Sequence, residues 1–132
     1  MAQLINPPAL GNPRGYSNGV LYPSGSLLFI AGQIGWDSEQ SLVPGGFVAQ
    51  FGQALRNLME VVSAAGGTPS AVGRLTVFVT DKALYMEDLK AVGRAYREVL
   101  GTHYPAMSLV EVADLLEDGA LVEIEGTAVV SP

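Results

Sequence analysis

The chain has 132 residues, of which 48% are hydrophobic and 15% are charged, and its formal net charge is −6. A chain of this length fits one compact domain, so we assign residues 1–132 to a single domain. The negative charge, without any run of Lys or Arg, argues against nucleic acid or an anionic membrane as a partner. The lack of cysteine excludes disulfides and thiolate chemistry, and without a secretory pattern at residues 1–10 we expect a cytoplasmic protein.

The first half of the chain predicts two strands followed by a helix. Residues 6–25 are rich in Pro, Gly, Asn and Ser, as is typical of loops, with a short strand at 19–22. Residues 27–34 form an apolar run that predicts a buried strand. From Phe47 the apolar residues recur every three or four positions, which predicts a helix that ends at residues 66–67, where glycine reaches positive φ at little cost.

The second half predicts a strand, a second helix and two further strands. Residues 75–80 are rich in β-branched side chains, as is typical of a strand. A single helix follows and ends at Gly101, with one apolar face formed by Met86, Leu89, Val92, Tyr96 and Val99. Strands at 105–113 and 121–130 flank a turn at 116–119. The order β-β-α-β-α-β-β predicts an α+β fold in which both helices pack on one face of a single sheet.

The last two strands predict a second sheet face that mixes carboxylates with apolar side chains. In the final strand, apolar residues alternate with Glu123 and Glu125, so these carboxylates lie on the face opposite the helices. In the preceding strand we place Val110 under the helices. Met107 and Leu109 then share a half-apolar cleft with Glu123 on the second face. Such a face is either partly exposed or covered by another subunit, and we favour the second.

Motifs along nearly the whole chain resemble those of the Rid (YjgF-like) family. The resemblance is carried in register by GYS at residues 15–17, LFIAGQI at 28–34, RLTVFVTD at 74–81, PAMS at 105–108 and VEIEGTA at 122–128. These segments are similar to the family's PYS, lFiSGQi, KtTVFltD, PARS and vEIEaiA. No single segment is specific, but by their order and spacing the chain is identified as a member of this family.

The resemblance implies a chorismate-mutase-like subunit that assembles into a homotrimer around a central barrel, with small-molecule clefts between neighbouring subunits. Family members that hydrolyse enamines and imines hold the substrate carboxylate with the arginine of the PARS segment. Here Met107 stands at that position, and a thioether cannot supply the bidentate, charge-assisted hydrogen bonds of an arginine. The chain is therefore expected to be a divergent member, whose cleft either accepts a less anionic or differently held substrate or no longer works.

Glu123 is the candidate catalytic residue, because a carboxylate can position water or protonate a substrate. A structural carboxylate that binds a partner subunit is the alternative. The resemblance also implies ligand-binding roles for Tyr16 and Ser17, and for Met107 and Ser108 of the PAMS segment. Gly32 and Gln33 could bring backbone groups close to a ligand, because glycine has no side chain to block the approach. Tyr16 could instead be an aromatic anchor. Arg74 is the basic residue that could replace the missing arginine, although an ion pair between subunits is the reading we favour.

Two functions remain open from the sequence. The first is hydrolysis of a small enamine, imine or related amino compound, with aminomuconate-type deaminases as one branch. The second is a non-catalytic trimer that binds a small metabolite or acts like a chaperone. With His103 as the only histidine and no cysteine, the sequence predicts no metal site and no Ser-His-Asp triad, and we expect no cofactor.

Overall fold

The fold combines strands in two sheets with three α-helices, and the computed structural model describes residues 2–132. Met1, the first residue of the predicted domain, lies outside the described residues. The strands are β1 (Gln3–Ile5), β2 (Gly19–Leu21), β3 (Ser26–Ile34), β4 (Val72–Val79), β5 (Ala106–Glu111) and β6 (Val122–Val130). The helices are α1 (Gly46–Ala64), α2 (Lys82–Glu87) and α3 (Leu89–Leu100). Short 3-10 turns lie at Pro8–Leu10 and Pro69–Ala71.

The main sheet has four strands in the spatial order β3-β6-β4-β5. β6 is antiparallel to both of its neighbours, whereas β4 and β5 are parallel and are connected through α2 and α3. The predicted α+β class is confirmed, but the prediction of a single sheet is wrong. The predicted strand at residues 19–22 pairs instead with β1 in a separate two-stranded ribbon. β1 was missed because three exposed residues leave no periodic pattern in the sequence.

The apolar face of α1 covers the sheet as predicted. Its buried apolar residues are Phe47, Phe51, Ala54, Leu55, Leu58 and Val62. They pack in one core with the buried side of the strands, which includes Ile30, Val77 and Ile124. The helix ends at Ala64 and is followed by Gly66 at φ 87°, as the glycine signal predicts. Within residues 2–132, no helix has the length and apolar character needed to cross a membrane.

The predicted second helix is in fact two helices. Asp81 caps α2 by accepting a hydrogen bond from the Ala83 amide at 2.9 Å. Asp88 ends α2 and caps α3 by accepting from the Ala91 amide at 3.1 Å. A helix start leaves amide groups without partners, and an Asp side chain supplies one. The interruption leaves Leu89 49% exposed, so the prediction that it lies on the buried face of one continuous helix is wrong.

The two faces of β5 are reversed relative to the prediction. Met107 and Leu109 pack against the core under the helices, while Val110 is 43% exposed on the second face. The parallel register explains the reversal, because Met107 lies beside Leu75, which is completely buried. In β6 the alternation is as predicted. Met107 and Glu123 therefore lie on opposite faces of one sheet, and the cleft predicted to hold both of them with Leu109 does not exist within a single subunit.

The second face of the sheet leaves large apolar side chains in contact with solvent. Phe29 and Leu27 on β3 are 77% and 65% exposed, which is unusual for residues in the middle of a regular strand. Contiguous exposed apolar area of this kind marks interaction surfaces in soluble proteins.

Candidate functional site

An open groove of about 500 Å³ lies between α3, β5 and the loop that precedes β2. Aliphatic and aromatic side chains form most of its lining, namely Tyr16, Phe51, Val77, Tyr85, Leu89, Val92, Tyr96, Tyr104, Met107 and Leu109. Arg14, Gly15, Gly93 and Arg97 complete it. A concave, mostly apolar surface with a few polar groups is typical of a small-molecule site. We refer to this surface as the groove.

Two stacked tyrosines form one side of the groove. The rings of Tyr96 and Tyr104 lie 5.1 Å apart and are parallel within 6°. The Tyr96 hydroxyl donates to the His103 carbonyl oxygen at 2.7 Å. Burial, and to a smaller extent the neighbouring Tyr104, raise the pKa of Tyr96 above its ordinary value. Tyr96 is therefore a neutral hydrogen-bond donor in the wall of the groove. The ring of His103 makes a separate contact, in which Nε2 lies 2.7 Å from the Val72 carbonyl oxygen.

Ser17 fixes the loop that carries Tyr16 to the groove. Its side chain is buried, and Oγ donates to the Tyr104 carbonyl oxygen at 2.5 Å. Its amide donates to the Pro105 carbonyl oxygen at 2.9 Å. These bonds tie the loop to the start of β5, next to Met107. The predicted binding residue Ser17 is thus buried and fixes the loop beside the groove, while Tyr16 is 38% exposed at the edge of the groove.

A second set of predicted site residues meets on the other face of the sheet. A Cβ atom added at Gly32 would lie 2.7 Å from the Glu123 carboxyl carbon, so the carboxyl group packs directly over the glycine backbone. Gly32 lies where the register between β3 and β6 is irregular, next to Gln33, whose Nε2 donates to the Ala31 carbonyl oxygen at 3.0 Å. We call Gly32, Gln33 and Glu123 the Glu123 site.

Asn57 supports the Glu123 site and was missed in the sequence. Its Nδ2 donates to the Ile34 carbonyl oxygen at 3.0 Å and to the Trp36 carbonyl oxygen at 2.9 Å. Both bonds hold the chain where β3 ends, two residues after Gly32. Within the periodic pattern of α1, a polar residue at this position has no feature that distinguishes it from a solvent-facing one.

The remaining predicted residues do not line the groove. Ser108 is exposed on the second face, because it alternates with the core-facing Met107. Arg74 is exposed on β4, beside Ala106 and Thr127 in the register, and it alternates with the buried Leu75. The structure therefore divides the predicted set: Tyr16 and Met107 belong to the groove, whereas the Glu123 site, Ser108 and Arg74 belong to the second face.

Sequence reasoning also missed the cationic residues of the groove. Arg14 and Arg97 lie in a loop and on the last turn of α3, where a charged residue is expected to face solvent. Only the tertiary fold brings them to the same concave surface. In the part of the chain that the structure describes, no group of three or more His, Asp or Glu side chains is arranged to hold a metal ion.

Comparison with known proteins gives the family. A family model described as Endoribonuclease L-PSP matches residues 8–130, nearly the whole chain. The chain belongs to this family, the Rid (YjgF-like) family. This Rid-family chain is 37% identical over 118 residues to a goat (Capra hircus) protein named 2-iminobutanoate/2-iminopropanoate deaminase, a match that covers 89% of this chain and 81% of the goat protein. The mouse (Mus musculus) protein of the same name is 40% identical over 106 residues, which cover 80% of this chain and 75% of the mouse protein.

Solved structures of Rid-family proteins have the same fold. A family member of unknown function from Yersinia pestis superposes with a TM-score of 0.87 at 35% identity, and the match covers 98% of both chains. RidA from an Antarctic Psychrobacter species superposes with a TM-score of 0.68 at 32% identity, covering 95% of this chain and 94% of that one. The family predicted from the motifs is confirmed, and so is the α+β fold.

Proposed function

We propose that this Rid-family protein is a deaminase that hydrolyses the C=N bond of a small imine or enamine in a cleft between neighbouring subunits. One observation carries the proposal: an apolar groove of small-molecule size lies on one side of the sheet, and a carboxylate packed on bare glycine backbone lies on the other. The names of the goat and mouse relatives support imine hydrolysis as the reaction class. Hydrolysis of a small imine requires both an enclosure for the substrate and an acid–base group, and a second copy of the chain can combine them.

The reaction needs only water and one acid–base group. Water adds to the carbon of the protonated imine, the C–N π electrons move to nitrogen, and the Glu123 carboxylate takes a proton from the water as the C–O bond forms. Glu123 returns this proton to the nitrogen of the carbinolamine, and ammonia leaves as the C–N σ bond breaks. The carboxylate then takes the hydroxyl proton as the C=O bond forms and releases it to solvent. A positioned acid–base group contributes about 10²–10⁴-fold in rate. Because Gly32 has no side chain, a ligand can reach the carboxylate from the second face.

The proposed assembly is a homotrimer with a chorismate-mutase-like arrangement, in which the second faces line a central barrel. The exposed Phe29 and Leu27 support it, because burial of each such side chain contributes about 1.5–3 kcal/mol. The groove of one subunit would then close against the Glu123 site of the next. Sedimentation at micromolar concentration should give the mass of a trimer, and a monomer mass would overturn the cleft between subunits.

Catalysis is tested with imines generated in solution by an amino-acid oxidase, following the loss of imine in competition with semicarbazide. We expect the wild type to accelerate hydrolysis and Glu123→Gln to lose that acceleration. Glu125→Gln is the matched control, because Glu125 is exposed on the same face two residues away. The proposal fails if neither neutral nor acidic imines are turned over, or if the two variants lose the same activity.

A mixing experiment tests whether each cleft draws on two subunits. Leu89→Trp fills the groove from a half-exposed position, so it should abolish activity without disturbing the core. Alone, this variant and Glu123→Gln are both expected to be inactive. In randomly mixed trimers, about a quarter of the clefts combine an intact groove with an intact Glu123 site, so activity should return. If both half-sites came from one subunit, mixing would restore nothing.

The alternative function is a non-catalytic trimer that binds a small metabolite. Met107 favours it, because the groove floor carries a thioether where the resemblance implies an arginine. If the wild type turns over no imine but Met107→Arg hydrolyses 2-imino acids, the scaffold has lost only its substrate clamp. The net charge of −6 disfavours RNA, whose phosphates require cationic surfaces. A cytoplasmic location and the absence of nucleic-acid and membrane partners stay predictions.

A further inference from the structure

The groove carries positive charge in an acidic protein. The chain has 7 Lys and Arg residues against 13 Asp and Glu residues, yet in the described part of the chain the groove is lined by Arg14 and Arg97 and by no carboxylate. Its other lining residues are apolar or aromatic, apart from two glycines. A ligand that complements this surface therefore has an apolar body and a negatively charged end.

The position of the Arg97 guanidinium depends on Gly93. Arg97 follows Gly93 by one helical turn of α3, so the two residues share a face of the helix. A Cβ atom added at Gly93 would lie 3.1 Å from Arg97 Nη1 and 3.8 Å from both Cζ and Nη2. The guanidinium thus lies back along the helix, over the bare backbone of a glycine that itself lines the groove. Its N–H donors, which point outward in the guanidinium plane, lie at the rim of the groove.

We propose that Arg97, assisted by Arg14, binds the carboxylate of the ligand, in place of the strand arginine that the resemblance implies at Met107. This inference rests on the proposed function in taking the groove as the substrate site. An arginine binds a carboxylate with two parallel hydrogen bonds, and it does so from a helix as well as from a strand. The carboxylate would then lie at the rim, while the apolar body lies over Val92, Met107 and Leu109 on the floor.

The uncharged Met107 fits this orientation. Met107 is half-buried against the core, in the space that the apolar part of the ligand would occupy. A cation at this position would be buried beside apolar groups, which is costly. A thioether on a flexible chain instead adapts to apolar groups of different shape. The carboxylate is therefore held by the helix instead of by β5.

Binding of two probes of the same shape tests the inference without turnover. Titration calorimetry would compare 4-methylpentanoate with its neutral analogue 4-methylpentanamide on the purified wild-type assembly. We expect the carboxylate to bind about tenfold more tightly, as one exposed charge-assisted contact allows. Arg97→Met should abolish the preference, and Arg97→Lys should retain part of it. Arg94→Met is the matched control, because Arg94 is on the same helix, is also exposed and does not line the groove.

A second variant moves the guanidinium and leaves its charge in place. Gly93→Ala brings a methyl group within 3.1 Å of Arg97 Nη1, so the guanidinium must shift by a few tenths of an ångström. Affinity for the carboxylate should fall several-fold, while the melting temperature should not fall, because alanine is the better helix former. Unchanged carboxylate affinity in Gly93→Ala would show that the guanidinium does not act from this position.

The inference is overturned if the amide binds as well as the carboxylate, if neither probe binds at millimolar concentration, or if Arg94→Met loses the same preference as Arg97→Met. Its failure is distinguishable from that of the proposed function. If Arg97 controls the carboxylate preference and the wild type hydrolyses no imine, the groove inference stands and the deaminase proposal fails. If imines are hydrolysed and Arg97→Met leaves KM unchanged for acidic imines, the reverse holds.

Discussion

Gly32→Ala should separate catalysis from stability. The added Cβ would lie 2.7 Å from the carboxyl carbon of Glu123 and 2.9 Å from its Cγ, whereas carbon atoms in contact lie about 3.5–4.0 Å apart. The carboxyl group must therefore move by about 1 Å, and a misplacement of that size can cost about 100-fold in rate. The carboxylate itself remains in the protein, so the loss reports its position and the access of the ligand to it across residue 32.

The folded state should tolerate this substitution. The φ angle of Gly32 lies outside the positive range, and the obstructing atoms are the far end of a flexible side chain. Alanine also restricts the unfolded chain, so we expect the free energy of unfolding to change by less than about 1 kcal/mol. The control is Gly19→Ala, where the nearest atom to the new Cβ is Ile5 Cβ at an ordinary 3.5 Å. Imine hydrolysis and urea denaturation measure the two effects. Full activity in Gly32→Ala, or a loss of stability large enough to explain lost activity, would refute the reasoning.

Three further substitutions test assembly, packing and the support of the groove. If the proposed trimer forms, Phe29→Asp should convert it to monomers in sedimentation, whereas Leu116→Asp, at a fully exposed loop position, should not. Gln50→Ala should lower the free energy of unfolding by about 2–4 kcal/mol, because the buried side-chain amide donates to one backbone carbonyl oxygen at 3.0 Å and accepts from one backbone N–H at 2.8 Å. Gln53→Ala should lower the free energy of unfolding by less than about 1 kcal/mol. Ser17→Ala should raise KM several-fold by releasing the adjacent tyrosine, and an unchanged KM would contradict its anchoring role.

The elements that bury one face and expose the other to solvent could be predicted from the sequence. The helical period that starts at Phe47 and the alternation around Ile124 both separate core from surface, and the structure buries the residues that these patterns select. The break before α3 also has a sequence signal, since Asp88 stands at the position of an N-cap. The family was predictable as well, because it depends on order and spacing along the chain.

The faces of β5 could not be predicted by alternation, because both of its faces carry apolar side chains. Met107 and Leu109 on one side and Val110 on the other satisfy the same binary pattern. The choice is made by the parallel register with β4, where Met107 meets the buried Leu75. Register between strands that are separated by two helices has no local sequence signal. The apolar character of the second face, which made the strand ambiguous, is the same feature that supports an oligomer.

The reversal of β5 changes what a site in this family member must be. With Met107 and Leu109 under the helices, the groove and the Glu123 site cannot serve one ligand unless the sheet of a second copy comes against the first. The same reversal places Met107 in the groove that Arg97 of α3 also lines. Met107 of β5 stands where the resemblance implies an arginine, and Arg97 of α3 lines the same groove, so the proposed carboxylate contact would come from the helix instead of the strand. Substrate orientation, more than the reaction itself, is what the substitution at position 107 would alter.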